Sequence, residues 1–127
     1  DYFIDQLDHE FCLRVRANKG KAVASRDVLM LHSVGEDGGT WLPVLGYLPN
    51  HRPIRKYYTA RTSIVTIKED WRQEPVWCLV RAIRLSLGLV LMLALESQRL
   101  VKSRAYFLGI VDGFRGKMGK LDEKCLY

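Results

Sequence analysis

The stretch from residue 85 to 95 most constrains what this chain can fold into. Apart from Ser86 and Gly88 it is apolar throughout, so a helix built from it has no polar face and must be covered by protein or by lipid. At eleven residues the run falls short of the roughly 20 that cross a bilayer, and it predicts a packed or surface-lying helix rather than a span. Pro75 suits a first helical turn, and the helix is expected to run from 75 to 104. In its first half Trp77, Arg81, Arg84 and Gly88 recur on one face, while Leu79, Ile83, Leu87 and Val90 recur on another.

Upstream, residues 8–17 read as a short helix. Asp8 is a good N-cap, Asn18-Lys19-Gly20 is a good stop, and Phe11, Cys12 and Val15 share a face. Residues 21–24 and 28–34 are apolar and partly β-branched, which predicts short strands on either side of a turn at Asp27. The segment 40–53 holds Pro43, Pro49, Pro53 and Gly46 and is expected to be irregular. Residues 54–68 return to helical spacing through Tyr57, Tyr58, Arg61, Ile64, Val65 and Lys68.

Charge divides the chain in two. Residues 1–50 carry five Lys/Arg against seven Asp/Glu, whereas residues 51–127 carry fifteen against seven, a local net of +8. A basic half of this kind attracts phosphate, whether of nucleotide, nucleic acid or anionic lipid. Nucleic acid is the weakest of these, because the aromatic and basic residues do not fall into a recognisable binding module. Cys12, Cys78 and Cys125 are odd in number and widely spaced, with no CxxC pair. They suggest reduced thiols in a cytoplasmic protein. The first residues, Asp-Tyr-Phe-Ile-Asp, have no basic signal-peptide region and no initiator Met.

Four segments carry candidate chemistry. In the first, Asp1, Asp5, Asp8 and Glu10 crowd a helix start and Arg14 follows one turn on. A carboxylate held there is suited to general-base work, although spacing alone accounts for Asp8 as a cap and Asp5 as a surface residue. The second is Met30-Leu31-His32-Ser33-Val34-Gly35, where a His ends an apolar strand. Alone, that His is better explained by a structural hydrogen bond. The third is Arg55-Lys56-Tyr57-Tyr58-Thr59-Ala60-Arg61-Thr62, a basic helix face on which the Arg61 fork is suited to phosphate oxygens. The fourth is the stretch 109–120, with Gly109, Gly113, Gly116 and Gly119 among basic and apolar residues. It follows a helix rather than a strand, so its mechanics are not those of a nucleotide loop.

In this order the four segments resemble the C-terminal part of family 2 glycosyltransferases of the bacterial rhamnosyltransferase type. Phe3-Ile4-Asp5, the run Asp8-His9-Glu10-Phe11-Cys12-Leu13-Arg14 and Gly20 are similar to the segment that carries that family's catalytic base, which by position is Asp8. Leu7 stands where many members have Glu, and Thr62 replaces an Asn after Arg61. The resemblance implies an α/β parent of GT-A-like nucleotide-sugar transferase fold. This chain is expected to supply its C-terminal part, a few short strands followed by mostly helix. Residues 1–50 would end the catalytic domain and residues 51–127 would form a helical extension.

It further implies inverting transfer of L-rhamnose from dTDP-rhamnose to a polysaccharide or lipid-linked acceptor. Asp8 would be the base, and Asp5, Glu10, Tyr58 and Arg61 would contact substrate. His32 would lie at a divalent metal, Mg or Mn, held by the full-length parent. The nucleotide-binding βαβ units and the Asp-x-Asp motif are not among these residues, so the fragment alone is expected to be inactive and to hold no cofactor. Transfer of another activated sugar, or a non-catalytic basic module at a membrane surface, are the alternatives. The expected setting is cytoplasmic, with peripheral contact to the inner face of the cell membrane, no nucleic-acid partner, and scope for self-association.

Overall fold

The computed structural model describes residues 7–23, 26–27, 40–42, 46–48 and 51–126. In chain order these form α1 (Leu7–Ala17), the strands β1 (Thr40–Leu42) and β2 (Gly46–Leu48), α2 (Pro53–Asp70), α3 (Pro75–Leu95), α4 (Arg99–Arg115) and a 3₁₀ turn (Glu123–Leu126).

The α/β expectation is overturned. The described chain is helical, and its strand pairing is confined to an antiparallel hairpin in which Thr40 faces Leu48 and Leu42 faces Gly46. That hairpin falls where an irregular segment was expected. No sheet of the GT-A kind is present among the described residues. The strand expected from residue 21 does not form over residues 21–23, which lie exposed outside any regular element. Val23 keeps 87% of its surface in contact with solvent. A β-branched run becomes a strand only where neighbours cover and pair it, and among the described residues none pairs with 21–23. The strand expected at 28–34 lies outside the described residues.

Helix α2 is the central element. It begins at Pro53 and buries Tyr57, Tyr58, Ala60, Arg61, Thr62, Ser63, Val65 and Thr66. A helix this polar is buried only if its polar groups are satisfied. Its hydroxyls manage this locally: Thr62 Oγ1 donates to the Tyr58 carbonyl at 2.7 Å and Thr66 Oγ1 to the Thr62 carbonyl at 2.9 Å. Ser63 Oγ bonds the Thr59 carbonyl in the same way.

Helix α4 lies closest against α2, and glycine makes that approach possible. A Cβ on Gly109 would stand 2.3 Å from the Tyr57 carbonyl oxygen, and one on Gly113 would stand 2.8 Å from the Arg61 carbonyl oxygen. Ala105 and Ala60 continue the small-residue seam and are fully buried. Glycine costs helix stability, but at 109 and 113 only glycine permits this backbone separation. Tyr57, Tyr58, Ala105, Leu121 and Leu126 form one apolar cluster, and Ala60, Met92 and Tyr106 form a second toward α3.

The single helix expected over 75–104 is in fact two. Glu96 adopts an extended backbone and Gln98 a left-handed one, with φ of 55°. The break lets the Glu96 carboxylate reach the Lys102 ammonium at 2.7 Å and pair with Lys56 of α2 as well. One partly buried carboxylate thus ties the entry of α4 to the first turns of α2. Helix α1 stops as expected, although Lys19 takes the left-handed conformation (φ 60°) rather than Gly20. The Gly20 N–H bonds the Val15 carbonyl at 2.8 Å, and a Cβ on Gly20 would meet the Val15 side chain at 2.7 Å. Glycine is therefore needed there for closeness, while Lys19 carries the turn.

Candidate functional site

Helix α1 presents Asp8, His9, Cys12, Leu13 and Arg16 toward the start of α3, and with Trp77 they line an open groove of about 240 Å³. The His9 and Trp77 rings lie 6.1 Å apart at 44°. Arg16 bonds Glu74 at 2.8 Å and Leu13 is buried, so the groove has one ionic and one apolar anchor. Asp8 sits in the first turn of α1, where a carboxylate interacts favourably with the positive end of the helix. The groove therefore offers an exposed carboxylate beside an aromatic wall. Such a wall is a surface on which a sugar ring can stack while a hydroxyl meets the carboxylate.

The other expected site residues are dispersed. Glu10 does not line the groove and is bonded to Arg14 at 3.1 Å, one turn along. Asp5 and His32 lie outside the described residues. Tyr58 and Arg61 stand in the bundle core, each 1% exposed. The Arg61 guanidinium lies over the Tyr57 and Tyr58 rings at 5.2 and 4.9 Å from their centroids. Its Nη1 donates to the Gly119 carbonyl at 2.8 Å and to Tyr57 Oη at 3.3 Å. Tyr57 in turn donates to Asp112 Oδ2 at 2.7 Å, and the Leu121 N–H donates to Tyr58 Oη at 2.8 Å.

Burial, reinforced by the bond to Asp112, pushes the Tyr57 phenol up to about 12. It therefore keeps its proton and links the Arg61 cation to the Asp112 anion. Arg61 Nε and Nη2 have no hydrogen-bond partner among the described residues. The two ring faces partly offset that cost by cation–π attraction. This cluster ties α2 to α4 and to the chain that follows it. Its sequence signal was visible in part: Tyr57 and Tyr58 stand four and three residues before Arg61, so one helix face brings all three together. Asp112, 51 positions further on, had no such signal, and neither had Trp77 as a wall of the Asp8 groove.

No group of three or more His, Cys, Asp or Glu able to hold a metal ion occurs among the described residues. The divalent cation that the resemblance implies therefore finds no ligand set among those residues.

Comparison with known proteins gives one informative match. Over 122 residues, which is 94% of this chain, the sequence is 29% identical to a dTDP-rhamnosyl transferase, RfbF, of Shigella flexneri. The chain is a distant relative of a glycosyltransferase. It spans 39% of the length of that relative. No family model matches the chain, and no solved structure does.

Proposed function

We propose that this chain forms the C-terminal part of an inverting glycosyltransferase that moves rhamnose from dTDP-rhamnose to a hydroxyl of a glycan or lipid-linked acceptor, with Asp8 as general base. The observation that carries this reading is the similarity to the dTDP-rhamnosyl transferase along 94% of the chain. The groove supports it, because the carboxylate singled out from the sequence is the one that stands beside Trp77. In the reaction the acceptor oxygen bonds the anomeric carbon as the bond from that carbon to the diphosphate oxygen breaks. The electron pair leaves with dTDP, and the acceptor proton passes to the Asp8 carboxylate.

Asp8→Asn in the full-length enzyme removes the proton acceptor while keeping the shape of the groove. Turnover should fall by about 10²–10⁴-fold, the usual worth of a general base. Glu10→Gln, which disturbs only an exposed ion pair of small energetic worth, should leave turnover close to wild type. Substantial activity in Asp8→Asn would dismiss Asp8 as the base. Transfer assays with other dTDP-sugars decide whether rhamnose is the sugar moved.

The same reading extends to where the enzyme works. α3 is long and apolar enough to cross a membrane by length and composition, yet only 11% of its most apolar window is buried. Leu79, Ile83, Leu87 and Val90 all face outward. The opposite side is docked on the bundle: Arg81 bonds Ser63 Oγ at 2.7 Å, Tyr106 Oη donates to the Leu85 carbonyl at 2.6 Å, and Met92 is buried. Crossing a bilayer would draw the polar helix α2 into hydrocarbon. The arrangement favours peripheral attachment, with the outer ridge of α3 on the inner face of the cell membrane.

A further inference from the structure

Trp77 is fixed before any ligand arrives. Its neighbour Cys78 is fully buried, with Sγ 3.9 Å from the Ile67 carbonyl of α2. The start of α3 therefore cannot turn on its axis without opening packed core. On α1, residues 8, 9, 12, 13 and 16 recur a turn apart and share a face, and Leu13 on that face is buried. The Arg16–Glu74 ion pair at 2.8 Å joins the last turn of α1 to the residue just before α3. The Asp8 carboxylate and the Trp77 indole thus come from two helices that are fastened to each other.

The indole is half-buried, and its uncovered part lines the open groove. His9 leans on it at 6.1 Å and 44°, which makes a corner rather than a stack. The face of an aromatic ring carries negative charge density and attracts weakly positive C–H groups. A pyranose offers such groups on its flat side and carries its hydroxyls around the rim. A pyranose lying on Trp77 can therefore turn a hydroxyl toward Asp8. A hydrocarbon chain would also lie on the indole, but it brings no hydroxyl. A lipid phosphate would bring negative charge against the Asp8 carboxylate, and Arg16 of the lining is already bonded to Glu74. At about 240 Å³ the groove is smaller than the ~300–1,000 Å³ that takes a drug-sized ligand, which suits one sugar unit.

We infer that Trp77 is an acceptor-binding residue: its indole carries the terminal pyranose ring of the acceptor, and the group that receives the transferred sugar is a hydroxyl of that ring rather than a lipid phosphate. This assignment rests on the reading of Asp8 as general base and deepens it, because it gives α3 a part in choosing the acceptor. Binding energy gathered on the indole, away from the reacting atoms, holds the hydroxyl at the carboxylate.

The test uses the full-length enzyme with the methyl pyranosides of rhamnose, galactose and N-acetylglucosamine as probes, and with mannitol, which has hydroxyls but no ring. Saturation-transfer NMR, irradiated at the aromatic protons of the protein, reads the sugar contact. Release of dTDP from dTDP-rhamnose reads transfer. Wild type should pass saturation to the ring C–H protons of at least one pyranoside and not to mannitol. Trp77→Leu keeps apolar bulk but loses the flat face. It should weaken pyranoside binding by about three- to tenfold, the worth of one aromatic face contact, and bind dTDP as wild type does. Trp77→Phe should recover most of the sugar contact, and Asp8→Asn should keep that contact while losing turnover. If no pyranoside gains more saturation than mannitol, or if Trp77→Leu binds the pyranosides as wild type does, the platform is wrong whatever Asp8→Asn does. If Trp77→Leu loses dTDP as well and Trp77→Phe restores neither, Trp77 only packs the two helices together and the assignment falls. If Trp77→Leu loses the sugar while Asp8→Asn turns over as wild type does, the platform stands and the general-base reading falls.

Discussion

At Gly109 and Gly88 the same residue type does opposite things. Gly109 has the Tyr57 carbonyl where its Cβ would be, whereas Gly88 has open space. Gly109→Ala must push α4 off α2, and overpacking of this kind costs about 1–3 kcal/mol. Gly88→Ala should instead stabilise by about 1 kcal/mol, through helix propensity alone. Chemical denaturation of the two variants tests the pair. Destabilisation at both positions, or at neither, would contradict the packing described for α4. The sequence placed Gly88 inside an apolar helix and Gly109 in a glycine-rich stretch after one, and nothing local to Gly109 showed that it would lie within a helix against another backbone. The difference lies entirely in what α2 places opposite.

Among the elements, the α3–α4 break depends on one acid. Burial disfavours the charged form of Glu96, but hydrogen bonds from Lys102 and Lys56 outweigh it and hold the carboxyl below its ordinary value of 4.5. A carboxyl whose value is lowered on folding adds stability above its unfolded value and loses that contribution as pH falls through its folded value. Acid titration followed by far-UV circular dichroism should therefore show a loss of stability that begins near pH 4.5 and continues below it. Glu96→Gln should flatten that part of the profile. It should also lower stability at neutral pH, since two ammonium groups, one 3% exposed, lose their anion. A Glu96→Gln profile that matches wild type would mean that the carboxylate does not fasten the turn. The helix expected over 75–104 runs through Glu96 without a break. The role of Glu96 depends on Lys56, 40 positions earlier.

The thiols report on the whole molecule. Cys78 is fully buried against α2 and its thiol is pushed up by burial, with Asp70 and Glu74 adding to the effect. Cys12 and Cys125 are exposed. A thiol reagent applied to the native protein should label Cys12 and Cys125 quickly and reach Cys78 only at the rate of unfolding. Rapid labelling of Cys78 under native conditions would show that α3 lifts away from α2. The measurement also bears on the exposed ridge of α3. A chain free in solution can cover that ridge by self-association, which leaves Cys78 protected, whereas crossing a membrane would strip α3 from α2 and expose it.

The sequence by itself determined where α1, α2 and the start of α3 lie to within a few residues, through prolines and 3.6-residue spacing, which are local; the cap expected at Asp8 is not one, since α1 begins at Leu7 and takes Asp8 into its first turn. It also singled out Asp8 and placed Tyr57, Tyr58 and Arg61 on one face, again because residues three and four apart on a helix must meet. Tertiary structure alone decided the rest. It left residues 21–23 without a partner strand and split the expected 75–104 helix at Glu96. It set Arg61 in the core against Asp112 and brought Trp77 to the Asp8 groove. In each case the deciding atoms come from segments far apart in the chain, and no periodicity along one helix records what another helix will bring to meet it.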